Sequence, residues 1–184
     1  MVQPPPGSTL FPHTTLFRSL FYSPSFIVFL LVFLAGLWLF RGEARVVYCC
    51  IASYIFYGWW YPPYVVLLFG LTLYAHVFAR IEVSSWILFG GIVLLGLAPL
   101  AVFKYAGFVF DNLNSLTGYQ APFAADWTLP IGISFISFTA IAYIVDSRNR
   151  VTTPHGSLWR TGLFISFFPQ LIAGPILRAN ELMP

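Results

Sequence analysis

The sequence is dominated by apolar runs that are too long and too poor in charge for a soluble domain. A helix rises about 1.5 Å per residue, so about 20 residues match the roughly 30 Å hydrocarbon core of a bilayer. Only 8% of the residues are charged, against about 25% in soluble domains. The sequence therefore predicts an all-α fold, a polytopic transmembrane helical bundle embedded in the lipid bilayer. The predicted crossings are Ser19–Phe40, Val46–Tyr57, Val65–Ala79, Trp86–Phe110 (interrupted at Gly96–Pro99) and Leu129–Val145.

The last apolar segment, Phe164–Asn180, carries groups that an uninterrupted membrane helix does not tolerate. In hydrocarbon a freed backbone carbonyl or amide is costly unless protein or trapped water satisfies it. Two interpretations stay open: a broken or re-entrant element facing a polar interior, or a proline-kinked span whose gaps neighbouring helices fill. Either one requires hydrogen-bond partners elsewhere in the chain. The interrupting residues are Pro169, Gln170, Gly174, Pro175 and Arg178.

The basic residues indicate membrane topology rather than nucleic-acid binding. The net charge is +3, but the basic residues lie between apolar runs and form no stripe. The aromatic turn at residues 58–64 and the polar, acidic connection at 111–127 fall between the basic loops. The positive-inside rule then predicts an extracytoplasmic native N-terminus and three cytoplasmic loops. Those loops carry Arg41 and Arg45, then Arg80, and then Arg148, Arg150 and Arg160.

Three kinds of side chain in the apolar runs could carry chemistry. His76 could be a general base inside the membrane, or a hydrogen-bonded histidine at the interface one turn from Arg80. Lys104 must snorkel to the headgroups, pair with a carboxylate, or face a polar cavity. Cys49 and Cys50 are adjacent in an apolar run and are interpreted as small buried hydrophobes. No Cys/His cluster has metal-ligand spacing, so neither a metal nor a bound cofactor is predicted.

Residues 1–19 differ in character from the rest. Pro4–Gly7 is turn-rich, and the stretch that follows has no helical period and no signal-peptide layout. It looks like translated sequencing-adapter sequence, so we expect a non-native leader at 1–19 and a native start near Leu20. His13 and Arg18 are left out of the functional argument for that reason.

Three blocks of sequence resemble the membrane-bound O-acyltransferase (MBOAT) superfamily. They are Ser53–Tyr64, Leu129–Phe135 with the later Tyr143 and Asp146, and Ser166–Arg178. The resemblance covers roughly Leu20 to Pro184 and is closest to the bacterial branch that includes the alginate O-acetylation membrane protein. It implies that residues 20–184 are the N-terminal part of an MBOAT-type transmembrane domain, an incomplete MBOAT fold. The chain departs from the family at Thr139, where Gln is common, and at Arg148–Asn149, where a Tyr-Arg pair is common.

The resemblance also implies a function. It implies acetyl transfer to an exported polysaccharide, as in alginate O-acetylation, in the bacterial inner membrane. The co-substrate would be an acyl donor, acetyl-CoA or an acyl carrier, and an extracytoplasmic partner protein would finish transfer to the polysaccharide acceptor. The family's catalytic histidine lies in a later segment than the block matching Phe168–Pro184. No catalytic residue is therefore carried over, and we expect the chain by itself to be inactive.

The residues predicted to wall a polar tunnel are Lys104, Pro169, Gln170, Gly174, Pro175 and Arg178. Two other function classes stay open. A secondary transporter also uses broken helices, but it is typified by inverted repeats, which the sequence does not show. A non-catalytic scaffold would need no buried polar or broken elements.

Overall fold

The computed structural model describes residues 24–60, 62–117, 130, 132–154 and 156–173, and each regular element among them is an α-helix. This confirms the all-α prediction. The chain divides into two units, 1–48 and 49–184, at a point within the second described helix. The helices are α1 (Pro24–Leu39), α2 (Glu43–Trp60), α3 (Pro63–Phe78), α4 (Trp86–Thr117), α5 (Ile133–Arg148), α6 (Leu158–Ser166) and α7 (Phe168–Ala173).

The first unit pairs α1 with the opening turns of α2. The Tyr48 hydroxyl donates to the Val32 carbonyl at 2.7 Å, and its ring lies 6.1 Å from that of Phe33. Gly36 makes this approach possible, because a Cβ there would lie 2.1 Å from the Tyr48 ring. The turn between the helices contains Gly42, whose φ of +59° is a left-handed value that glycine adopts without steric cost.

The core of the second unit lies where α3, α5 and α6 meet. Ala75 on α3 and Ala140 on α5 are fully buried, and such small residues let helices approach closely. Tyr143 of α5 packs its ring 5.6 Å from the ring of Phe164 on α6. Helix α4 packs against α5, and the Tyr74 hydroxyl of α3 reaches the Ile92 carbonyl of α4 at 2.5 Å.

Helix α4 corrects two sequence predictions. The expected interruption at Gly96–Pro99 is absent, and the helix also continues past Phe110 to Thr117, into the predicted polar connection. Pro99 removes one backbone hydrogen bond, and the rest of this 32-residue helix holds the geometry around that loss. The Asn112 side-chain amide donates to the Phe108 carbonyl at 2.7 Å, which accommodates a polar residue inside the helix. Residues 118–129 lie outside the described residues.

Other helix boundaries shift by a few residues from those predicted. Helix α2 continues through Gly58 to Trp60, and α3 begins directly after Pro62. Helix α5 begins after Gly132, whose φ is +70°, and the Gly132 carbonyl accepts from the Ile136 amide at 2.8 Å. Helix α5 ends at Arg148 rather than Val145, which shortens the predicted basic loop.

The outer faces of the helices are apolar. Among the described helices, α4 contains the one stretch, Trp86–Tyr105, that is both long and apolar enough to cross a bilayer by itself. Helices α1 and α3 are apolar but shorter, at 16 residues each. Large side chains such as Trp38 and Ile87 are 85% and 87% exposed. Apolar faces of this kind mark surfaces that contact lipid or other helices.

Candidate functional site

The final apolar segment is broken, as the sequence predicted. Helix α6 ends at Ser166, Phe167 is extended with φ −55° and ψ 107°, and α7 begins at Phe168. Pro169 is then the second residue of α7, a position where its missing N–H costs no intrahelical hydrogen bond. The helix therefore breaks two residues before the proline rather than at it. Gly174, Pro175 and Arg178 lie outside the described residues.

The break is supported by a hydroxyl from α2. The Phe168 amide donates to Ser53 Oγ at 3.3 Å, and the Ser53 hydroxyl donates to the Cys49 carbonyl at 2.8 Å. Ser53 is fully buried, and the Phe168 ring lies 5.1 Å from that of Phe56. A backbone donor at the start of α7 thus has the partner that the broken segment requires. Gln170 is buried beside it, at 4% exposure.

Buried hydroxyls and cysteines extend from this point between α2, α3 and α6. The Tyr54 and Thr72 hydroxyls lie 2.7 Å apart, and Ser166 donates to the Gly162 carbonyl at 2.7 Å. Cys49 and Cys50 are both buried, as predicted. A groove of about 530 Å³ opens beside Tyr54, Thr72 and Gly162, with walls that are otherwise apolar.

His76 is held between two partners. An Arg80 guanidinium N–H contacts His76 Nε2, and His76 Nδ1 lies 2.9 Å from Thr161 Oγ1. Since arginine only donates, Nε2 must accept, so Nδ1 carries the proton and donates to Thr161. Arg80 Nη2 also donates to the Gly156 carbonyl at 2.9 Å. His76 therefore joins α3 to α6, in agreement with the interface interpretation rather than that of a proton acceptor. His155 lies outside the described residues.

Lys104 lies in a different environment from Gln170. Its side chain is exposed on α4, with Nζ 5.5 Å from the Tyr105 ring centroid, a favourable cation–π distance. The structure thus brings Pro169 and Gln170 together beside Ser53 but leaves Lys104 on an outer face. Ser137 and Thr139 of α5 are fully buried.

Comparison with known proteins gives relatives across most of the chain. A probable alginate O-acetylase AlgI from Pseudomonas aeruginosa is 37% identical over 169 residues, covering 85% of this chain and 32% of the relative. The corresponding protein from Pseudomonas putida is 36% identical over 173 residues, covering 85% and 35%. A peptidoglycan O-acetyltransferase from Helicobacter pylori is 30% identical over 208 residues, covering 91% and 38%.

These relatives confirm the resemblance to the membrane-bound O-acyltransferase superfamily. It spans about a third of the length of the curated relatives it matches. No family model and no solved structure matches it.

In this MBOAT-type chain the three blocks that carry the resemblance meet in the second unit. Ser53 of the first block accepts from the Phe168 amide of the last. Tyr143, from the middle block, packs on Phe164, just ahead of the last block. The first and last motifs therefore meet at the break, although they are far apart in sequence, and Tyr143 packs on α6 just before it.

Sequence reasoning missed Ser53 as a member of this site. The residue stands within the first block, but a single serine in an apolar run also fits simple packing. Its pairing with Phe168 joins residues 115 positions apart. The signal that could have found it is the helix break itself, because a new helix start leaves backbone amides that need acceptors.

Proposed function

We propose that this chain serves an O-acetyltransferase of the bacterial inner membrane that acetylates hydroxyls of an exported polysaccharide. The observation that carries the proposal is the 37% identity to an alginate O-acetylase over 85% of the chain. The contact between the first and last MBOAT-like blocks at the α6–α7 break supports it, because residues that carry the resemblance meet there. The name of the P. aeruginosa relative gives alginate as its polysaccharide acceptor.

The chain's own contribution to such an enzyme is structural. The α6–α7 break is buried against α2, and irregular backbone at membrane depth is tolerated where it is buried in protein or lines a water-filled cavity. Pro169 and Gln170, and by resemblance Gly174, Pro175 and Arg178, would wall the path along which donor and acceptor meet. His76 is engaged with Arg80 and Thr161, so the proton acceptor is sought outside the described residues.

The donor and the partner are proposed on resemblance alone. The acyl donor would be acetyl-CoA or an acyl carrier taken from the cytoplasm. A separate extracytoplasmic protein would complete transfer to the sugar hydroxyls. Neither would require a resident metal or cofactor in this part of the protein.

We further propose a multi-pass arrangement with an extracytoplasmic native N-terminus. The Arg80 guanidinium donates to the Gly156 carbonyl, so two of the three basic loops lie at the same end of the second unit. The Pro62–Pro63 turn lies at the opposite end of α3 from Arg80. Both relations are those that the positive-inside rule requires.

A chimera tests the function. The matched stretch of the P. aeruginosa alginate O-acetylase is replaced by that of this chain and expressed in a strain lacking its own enzyme. We expect acetylated alginate to be secreted, measured as acetyl groups per uronic acid residue. The control replaces the same stretch by unrelated apolar helices of equal length and should give no acetylation.

The outcome separates the function classes. A chimera that is abundant in the membrane yet leaves alginate unacetylated would contradict acetyl transfer to alginate. A second chimera with the H. pylori relative identifies a peptidoglycan acceptor if that polymer alone is acetylated. A transporter or a scaffold would leave both polymers without acetyl groups.

A further inference from the structure

A polar cavity of about 490 Å³ lies at the end of the second unit where α3 ends, α4 begins and α5 ends. It is separate from the α6–α7 break. Residues 78–84 form one wall, and the other is formed by the end of α5 and the loop after it. Three arginines, Arg80, Arg148 and Arg150, line it against one carboxylate, Glu82. The charge balance of the lining therefore favours an anion.

Several hydrogen-bonding atoms of the lining residues have no acceptor in the described part of the chain. They are Arg148 Nη1, Thr152 Oγ1 and Ser147 Oγ, and each atom is buried. Thr152 is 3% exposed and Ser147 9%. A buried polar group without a partner is destabilising, so a small rotation of these side chains toward an anion in the cavity would be favourable.

The Arg148 guanidinium is held in place by aromatic rings. Its Cζ lies 4.5 Å from the Trp86 ring and 4.1 Å from the Phe89 ring. These cation–π contacts hold the guanidinium beside the cavity, and the N–H groups of an arginine can donate to two phosphate oxygens at once.

The loop after α5 is folded back toward the cavity. The amides of Val151 and Thr152 both donate to the Asp146 carbonyl, at 2.9 and 3.3 Å. Arg150 adopts a left-handed φ of +57°, which an L residue adopts only when its surroundings impose it. The loop thus keeps Thr152 on the cavity wall.

We propose that this cavity binds a phosphate ester, and that the ligand is the headgroup phosphate of an anionic glycerophospholipid. The adjacent surface favours a lipid over a soluble phosphate. Trp86, Ile87 and Leu88 at the start of α4 are 76%, 87% and 65% exposed, so acyl chains could lie beside the cavity. This site is independent of acetyl transfer and would exist whatever polymer the enzyme modifies.

The test uses the full chain in bacterial membranes, so it does not depend on stability in detergent. Photoactivatable phosphatidylglycerol is supplied, and labelling of peptides that contain residues 78–92 or 144–154 is measured by mass spectrometry. We expect Arg148→Gln to reduce labelling about tenfold, because a charge-assisted bidentate contact is lost. Thr152→Val, which preserves shape, should also reduce it. Arg41→Gln removes the same charge from the first unit and should leave labelling unchanged.

Three results would overturn all or part of the proposal. Equal labelling of the parent chain, Arg148→Gln and Thr152→Val would show that the cavity does not recognise phosphate. Equal labelling by phosphatidylcholine and phosphatidylglycerol would overturn the preference for an anionic lipid. If inorganic phosphate protects these peptides from chemical modification but the lipid probe does not label them, the cavity binds phosphate and the lipid is rejected as its source.

Discussion

At the scale of single residues, Ser53 gives the broken helix a hydrogen-bond acceptor that comes from another helix. The break at Phe167 frees backbone groups, and the Phe168 amide is satisfied from α2 by a hydroxyl 3.3 Å away. Ser166 is equally buried, but its hydroxyl bonds the Gly162 carbonyl of its own helix. The two buried serines therefore differ in their partners: Ser53 accepts a backbone amide from another helix, whereas Ser166 bonds its own helix and the Cys50 thiol of α2.

We predict that Ser53→Ala destabilises the protein by about 1 kcal/mol, because the Phe168 amide loses its partner in an apolar setting. Ser166→Ala is the matched control and should cost less, since its acceptor carbonyl keeps the helical ladder. Unfolding in mixed detergent micelles measures both. If Ser166→Ala costs as much as Ser53→Ala, the bond to Phe168 does not support the break.

Lys104 shows how much of a residue's environment can be predicted from the sequence. A lysine within an apolar run predicts that the charge must leave hydrocarbon, and Lys104 is exposed beside Tyr105, so its snorkelling stays a prediction. Its neighbours could not be predicted, because the part of α4 before Lys104 is apolar all round and offers no pattern that says which face is buried.

At the scale of helices, whether a helix continues or breaks depends on the position of its proline. Pro99 lies in the middle of α4, where flanking turns hold the helix, whereas Pro169 lies at a helix start. The sequence shows both prolines with similar apolar neighbours, so it predicts a break at each. Only the second break is observed, where tertiary hydrogen bonds stabilise it.

The start of α5 gives a second prediction. Gly132 adopts a φ of +70°, so Gly132→Ala should destabilise the protein by about 1–2 kcal/mol. Gly70 lies in mid-helix, and a Cβ there meets nothing within 4 Å. Gly70→Ala should therefore be neutral or stabilising by up to about 1 kcal/mol. Thermal unfolding compares the two variants, and equal effects would mean that the Gly132 backbone does not require glycine.

At the scale of the whole molecule, the basic loops determine orientation. We predict that alkaline phosphatase fused after Pro62 is active and that the same fusion after Ser84 is inactive, because the positive-inside rule places Arg80 in the cytoplasm. Green fluorescent protein at the same two positions should give the reverse pattern. Activity of the phosphatase after Ser84 would contradict the proposed topology.

The helical class, the order of the helices and the final break could be predicted from apolar runs and breakers alone. The contact of Ser53 with Phe168 could not, because apolar periodicity says nothing about pairing across 115 residues. The cavity near Arg148 was also missed. Its lining comes from three separate helix ends and the loops beside them, and each looks like an ordinary basic or aromatic membrane boundary when read alone.

The long sequence distance between Ser53 and Phe168 has a consequence for synthesis. Ribosomes add about 5–20 residues per second, so the 115 residues between the partners take roughly 6 to 23 s to emerge. During that interval α2 enters the bilayer before its partner exists. Assembly of the break is therefore a late event, and a chaperone or insertase acting in those seconds would meet a helix whose buried serine still faces lipid.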